Sequence, residues 1–113
     1  MHEFPIAMNI MSIVLEHANE AKASKIGKIN MTIGKLSGVV PDCLELHLQM
    51  LGKDTIAEGA RLVFNQPPTN LKCRQCGASY TADDFNLVCP ECNKMEFEVI
   101  SGRECLVESV EIE

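Results

Sequence analysis

Apolar side chains first recur at helical spacing through Ile6, Ile10, Ile13, Val14 and Ala21, with His17 on the same stripe and Asn9, Ser12, Glu16, Glu20 and Lys22 largely off it. This predicts an amphipathic helix over residues 5–23. Pro5 suits its first turn, where a fixed φ is already helical and the missing N–H would have no intrahelical partner. Residues 24–27 break the pattern. Over 28–36 the period changes to two, with Ile29, Met31 and Ile33 on one face and Asn30 and Thr32 on the other, which predicts a half-buried strand. A turn-rich exit over 36–40 leads to Pro41 and Asp42, the start of a second helix. Its stripe is Leu44, Leu48 and Leu51, widened by Leu46 and Met50, and it should end near Gly52. After a loop over 53–59, residues 61–65 read as a second strand, stopped by Pro67 and Pro68 because proline cannot donate to a sheet ladder. Residues 104–113 alternate again, Leu106, Val110 and Ile112 opposite Glu111 and Glu113.

A lone strand cannot bury its apolar face, so the last segment is expected to join 28–36 and 61–65 in one sheet. The fold predicted is α+β: two helices on a three-stranded mixed sheet, with a four-cysteine zinc-ribbon module inserted between the second and third strands. Residues 1–69 and 101–113 would form one domain and residues 70–100 the other, with Ser101-Gly102 as a hinge. Inside the insert, 78–81, 85–88 and 95–100 are candidate short strands, with Tyr80, Phe85 and Phe97 shielding the metal site.

The insert carries four of the six cysteines as Cys73-Arg-Gln-Cys76 and Cys89-Pro-Glu-Cys92. Each pair bends the backbone so that two thiolates converge, and two such turns supply the four soft sulfur ligands zinc prefers. Gly77 and Asn93, which follow the second cysteine of each pair, are residue types that tolerate the left-handed step such turns require. Iron, two disulfides and a redox dithiol pair are the competing readings of the spacing.

Composition sharpens the choice. An insert of about 31 residues lies below the roughly 40 at which metals or disulfides become necessary, so it should fold only with its metal. The opening residues carry no basic leader followed by a long apolar run, and no stretch approaches the roughly 18 apolar residues of a membrane span, so a cytoplasmic protein with reduced thiols is expected. Net charge is −6, and the insert sets Lys72, Arg74 and Lys94 against Asp83, Asp84, Glu91, Glu96 and Glu98. That is the wrong sign for tracking phosphates, so no nucleic-acid partner is expected. No nucleophile elbow, phosphate-binding glycine loop or zincin motif appears, which leaves an enzymatic reading nothing to rest on.

Three histidines remain, and His2 is the most informative. In Met1-His2-Glu3 the α-amino nitrogen, the His2 backbone nitrogen and its imidazole are adjacent donors that can close fused chelate rings. Such a flat nitrogen set suits square-planar Ni(II) or Cu(II) and suits tetrahedral zinc poorly. The Glu3 backbone nitrogen, or a partner, would supply a fourth donor, and the Glu3 carboxylate would orient the imidazole. The opposing reading is an ordinary frayed terminus. Cys43 and His47, four apart on the second helix, read first as packing, and Cys105 as a small core residue.

Together these residues resemble the HypA/HybF family of hydrogenase maturation nickel chaperones over nearly the whole chain. The resemblance rests on Met1-His2-Glu3, on Ile33-Gly34-Lys35-Leu36-Ser37-Gly38-Val39-Val40-Pro41 before the second helix, on Cys73-x-x-Cys76-Gly77 with Cys89-Pro90-x-Cys92, and on Ser101-Gly102-x-Glu104 before an acidic strand. It implies Ni(II) at Met1, His2 and Glu3, structural Zn(II) at Cys73, Cys76, Cys89 and Cys92, and no covalent catalysis. The partners it implies are a HypB-type GTPase and the [NiFe]-hydrogenase large-subunit precursor. Cys105 stands where the family pattern leads one to expect leucine. A zinc-ribbon adaptor for nucleic acid or a transcription complex is the alternative reading.

Overall fold

The computed structural model describes residues 3–82 and 86–113. Among the described residues two helices and two three-stranded sheets make up the fold. Helix α1 spans Glu3–Glu20. It starts two residues earlier than the apolar period suggests and stops three earlier. Its end is a Schellman turn: Ala23 N–H donates to Ala18 O at 2.9 Å and Lys22 N–H to Asn19 O at 3.0 Å, with Lys22 in the left-handed region at φ 57°. The buried stripe is Ala7, Ile10, Met11, Val14 and Ala18. Ile13 and His17, expected on this stripe, are exposed.

Strand β1 (Ile26–Ile33) buries Ile26, Ile29, Met31 and Ile33. The odd step from Ile26 to Ile29 has a cause in the ladder, where the register shifts between Ile26 and Lys28, so that Gly27 is an extra residue and the side-chain alternation is reset. Helix α2 (Pro41–Gly52) buries Leu44 and Leu48 in the core cluster shared with α1 and this strand, whereas Leu46 and Met50 are 57 % and 61 % exposed and lie outside the core stripe predicted for them. Strand β2 (Arg61–Asn65) pairs parallel with β1, as the α2 crossover requires. The last strand of the chain, β6 (Cys105–Ile112), pairs antiparallel on the other side, which gives the three-stranded mixed sheet expected from the sequence, in the order β2-β1-β6. Cys105 is exposed at the start of β6, not a core residue. The acidic residues face water across the sheet: Thr32 Oγ1 donates to Glu108 Oε1 at 2.8 Å, and Lys28 Nζ lies 3.5 Å from Glu111 Oε2.

The second sheet has the order β4-β3-β5 and is antiparallel throughout, from β3 (Thr69–Cys73), β4 (Ser79–Ala82) and β5 (Phe97–Ser101). Two of these match predicted strands. Central strand β3 does not, although Thr69, Leu71 and Cys73 alternate as buried positions, because it is short and closed in by Pro67-Pro68 and the first cysteine turn. Of the segment predicted at 85–88, Phe85 lies outside the described residues, and Asn86, Leu87 and Val88 contribute one bridge residue and no strand.

The radius of gyration is 17.3 Å and the extents are 54 × 26 × 17 Å, against about 13 Å for a compact chain of this size. The molecule is thus elongated, and the passage between its sheets is braced. Gly34 N–H donates to Glu104 O and Leu36 N–H to Gly102 O, both at 2.7 Å, and Gly102 rests on the fully buried Thr69. Ser101-Gly102, read from sequence as a hinge, is held on both sides.

Candidate metal centre

The four cysteines come together as two backbone turns of the same design. In the first, Gly77 N–H donates to Cys73 O at 3.0 Å and Cys73 N–H to Ala78 O at 2.8 Å. The second repeats it, Asn93 N–H to Cys89 O and Cys89 N–H to Lys94 O, both at 2.9 Å. Gly77 and Asn93 sit at φ 77° and 60°, the left-handed positions their residue types suggest. Strand β3 delivers Cys73 into the cluster, which explains why the central strand of this sheet ends there.

All four sulfurs lie within 4.8 Å of one another, with Cys73 Sγ to Cys92 Sγ at 3.5 Å and Cys76 Sγ to Cys89 Sγ at 3.7 Å. A tetrahedron built on metal–sulfur bonds of about 2.3 Å has edges of roughly 3.8 Å, so the donor set fits a tetrahedral ion such as zinc. None of the cysteines is disulfide-bonded. Cys73 and Cys89 are buried, Cys92 is half-buried and Cys76 exposed, so the cluster opens to water on one side.

Electrostatics make the same case. The Cys76 N–H, followed by the Gln75 N–H, draws the Cys73 thiol down to about 6. At Cys92 the Lys94 N–H pulls the other way, yet burial and the neighbouring sulfurs prevail and push that thiol up to about 12. One thiolate forms readily and the last does not, because four negative charges at this separation repel. A divalent cation removes the conflict and displaces the protons. Tyr80 closes one wall: its hydroxyl donates to Leu87 O at 2.8 Å, and burial, with the nearby sulfurs, raises its pKa. Phe97 pairs with Cys73 across β3 and β5.

The other predicted site falls only partly within the described residues. Met1 and His2 lie outside them. Glu3 is described and is 4 % exposed, with its Oε2 accepting the Val40 N–H at 3.1 Å. Val40 is the N-cap of α2 and has no side-chain cap of its own, so the first turn of α1 supplies a carboxylate to the start of α2. Sequence reasoning gave Glu3 a role toward His2 and missed this contact, since nothing local links residue 3 to residue 40.

The Val40 N–H is the main reason the Glu3 pKa lies below its ordinary 4.5. A carboxylate lowered in the folded state contributes stability above its unfolded pKa, and the contribution is lost as pH falls through the folded value. In nickel-free protein the Glu3 side-chain carbon and the Val40 amide should therefore titrate together in NMR, with a shared midpoint below 4.5. A midpoint at or above 4.5 would show that the contact does not persist in solution.

Comparison with known proteins bears on both sites. A sequence profile of the family described as "hydrogenase/urease nickel incorporation, metallochaperone, hypA" matches residues 1–112. The hydrogenase maturation factor HypA of Dehalococcoides mccartyi strain 195 is 40 % identical over 113 residues, covering 100 % of this chain and 95 % of its own. That of Aquifex aeolicus is 33 % identical over 113 residues, with 100 % and 98 % covered. In three dimensions the chain is similar to the solution structure of the Ni metallochaperone HypA from Helicobacter pylori. The TM-score is 0.69 at 21 % identity, over 99 % of this chain and 97 % of that one, a likeness of fold.

Proposed function

Because this chain belongs to the HypA family of nickel-incorporation metallochaperones, maturation factors rather than enzymes, we propose that it carries Ni(II) on its first residues and delivers it to a [NiFe]-hydrogenase large-subunit precursor. Met1, His2 and Glu3 hold the cargo in this reading, through the α-amino group, the backbone nitrogens and the His2 imidazole. Cys73, Cys76, Cys89 and Cys92 hold a resident structural zinc. A HypB-type GTPase acts with it in the cytoplasm. Residues 1–69 with 101–113 serve the cargo, and residues 70–100 serve the zinc. The observation that carries the proposal is the family match across residues 1–112, beside four cysteine sulfurs that lie within 4.8 Å of one another.

The two sites have opposite physical tasks. Four thiolates on two rigid turns make a closed set from which zinc does not exchange readily. Passing an ion to another protein needs donors that leave one at a time, which an end of the chain permits and a cage does not. A planar nitrogen set also selects for nickel over zinc by geometry, which keeps the two metals apart.

His2→Ala should abolish stoichiometric nickel binding in protein with a native terminus while leaving zinc content and fold unchanged. Equilibrium titration, zinc analysis and circular dichroism read these three quantities. Nickel binding should also weaken as pH falls through the imidazole and α-amino pKa values, about 6.5 and about 7.7–8.0, because both donors must be deprotonated. Tight nickel binding retained in His2→Ala would discard the site. The helices include none long and apolar enough to cross a membrane among the described residues.

A further inference from the structure

The β2-β1-β6 sheet has two edges, and they are built differently. β2 is five residues long and is followed by Pro67 and Pro68. A short strand and nearby prolines are two devices by which proteins blunt an edge. β6 carries neither lysine nor proline, and among the described residues no strand other than β1 pairs with it. Its one irregularity is Glu108, an extra residue between Val107 and Ser109, which stand opposite Met31 and Asn30. Beyond Glu108 the strand runs on through Ile112, and Glu113 prolongs the ladder by donating its N–H to Lys25 O at 2.8 Å.

The two faces of this run have opposite character. Val110 and Ile112 stand opposite the buried Ile29 and Ile26, which places them on the helix side of the sheet. Ser109 and Glu111 are on the other side, where Asn30 Nδ2 donates to Ser109 Oγ at 2.9 Å and Lys28 Nζ lies 3.5 Å from Glu111 Oε2. Strand alternation puts Glu113 with them. Along the edge α1 leaves a groove of about 350 Å³, walled by Ile13, Val14, His17 and Ala18 and by Val110 and Ile112 of β6. Ile13 and Ile112 remain 40 % and 42 % exposed there. An edge shaped only to repel other chains would be polar on both faces, whereas this one is apolar toward α1 and acidic on the far side.

We propose that the groove takes an extended segment of a partner protein as a fourth strand on β6, with apolar side chains turned toward α1 and lysine or arginine side chains alternating beside Glu111 and Glu113. Pairing of this kind satisfies the outer N–H and C=O groups of the edge strand, and the two-residue period delivers every second side chain into the groove. Charge decides against a second copy of this chain. β6 paired with β6 would bring the Glu111 and Glu113 carboxylates of both copies onto one face, and like charges facing each other across a ladder are destabilising. Lys28 offsets one of these carboxylates and leaves an acidic excess for a basic partner. Ile13 lies ten residues along α1 from Glu3, about 15 Å, so the proposal does not depend on where nickel binds.

The test titrates full-length, zinc-loaded protein with a short peptide of alternating valine and lysine and follows the amide NMR spectrum. Two control peptides have the same length: valine alternating with glutamate, and the valine and lysine residues regrouped into one block of each. The alternating valine–lysine peptide should shift the amides of residues 109–113 and of Ile13 and His17, and slow hydrogen exchange at the outward amides of β6. Ile13→Asp, at an exposed position, and Glu111→Lys should each weaken its binding about ten-fold or more. Equal binding by the glutamate peptide would remove the charge argument, and equal binding by the block peptide would reduce the effect to net charge; either result would overturn the proposal. So would an absence of shifts in β6. Sedimentation showing dimers without peptide, dissociated by Ile13→Asp, would make a second copy the occupant and overturn it as well.

Discussion

Stripping zinc from the four-cysteine cluster, or replacing Cys89 with serine, should unfold the Thr69–Ser101 sheet while the β2-β1-β6 sheet and its two helices stay folded. The reason lies in where the apolar core sits. Its buried residues run from Ala7 to Ala57 and come from α1, α2, β1 and the loop before β2. The second sheet has Leu71 as its one large apolar side chain that is fully exposure-free among the described residues, beside Thr69, Cys73 and Cys89. A buried leucine contributes about 1.5–3 kcal/mol, little against about 1–2 kcal/mol of backbone entropy for each residue ordered. Structural zinc contributes on the order of 10–16 kcal/mol in small peptides, and that term decides whether this sheet forms. Cys89, like Cys73, is buried with its N–H and C=O both committed to its turn, so losing either should be more damaging than losing the exposed Cys76. In an amide NMR spectrum taken with excess chelator, signals from β3, β4 and β5 should collapse to random-coil positions while those of β1 and α2 keep their dispersion. Zinc should leave more readily as pH falls, since protons compete for thiolates, most strongly at Cys92. Full dispersion of both sheets without metal would show that the second half has a sufficient core of its own.

The parts of this fold that were legible in the sequence are those set by neighbours in the chain. Cys-x-x-Cys followed by Gly77 or Asn93 specifies a turn within six residues, and both turns form as the residue types suggest. Residues 61–65 and Pro41 to Gly52 carry their own stop signals, and their observed limits follow them. What could not be read depends on distant partners. The buried face of α1 is decided by α2 and β6, which pack against it, so Ala7 and Ala18 are inside and Ile13 is 40 % exposed. The start of β1 was obscured because the Gly27 bulge breaks its period, and β3 because the signals around it are those of a loop and a metal turn. The same holds at the candidate nickel end: residue type points to His2, while the contacts of Glu3 with Val40 and of Phe4 with His47 come only from the packing of two helices.

Gly34→Ala should be among the most destabilising single-methyl additions in this chain, although Gly34 is not at positive φ and its conformation suits any residue. The obstacle is space. A Cβ there would lie 2.0 Å from Gly102 O, 2.3 Å from Gly102 C and 2.9 Å from Arg103 N, all backbone atoms that no rotamer change can move. Little room is left around Gly102, where a Cβ would lie 3.1 Å from Thr69 Oγ1 and Cγ2, and its N–H donates to Glu104 Oε1 at 2.5 Å. The methyl can be housed only by parting the end of β1 from the Ser101–Gly102 step. That would break the Gly34 N–H to Glu104 O and Leu36 N–H to Gly102 O bonds. Overpacking costs about 1–3 kcal/mol and each lost bond about 0.5–1.5 kcal/mol, so a loss of roughly 3–5 kcal/mol is expected, a large share of the stability of a small domain. Gly59→Ala is the matched control. Gly59 is at φ 75° with nothing within 4 Å of a Cβ, so it carries only the left-handed penalty of about 1–2 kcal/mol. Urea unfolding of zinc-loaded protein, followed through β1 amide signals, measures both. If Gly34→Ala cost no more than Gly59→Ala, the passage between the sheets would be free to open, and Ser101-Gly102 would act as the hinge its sequence suggests.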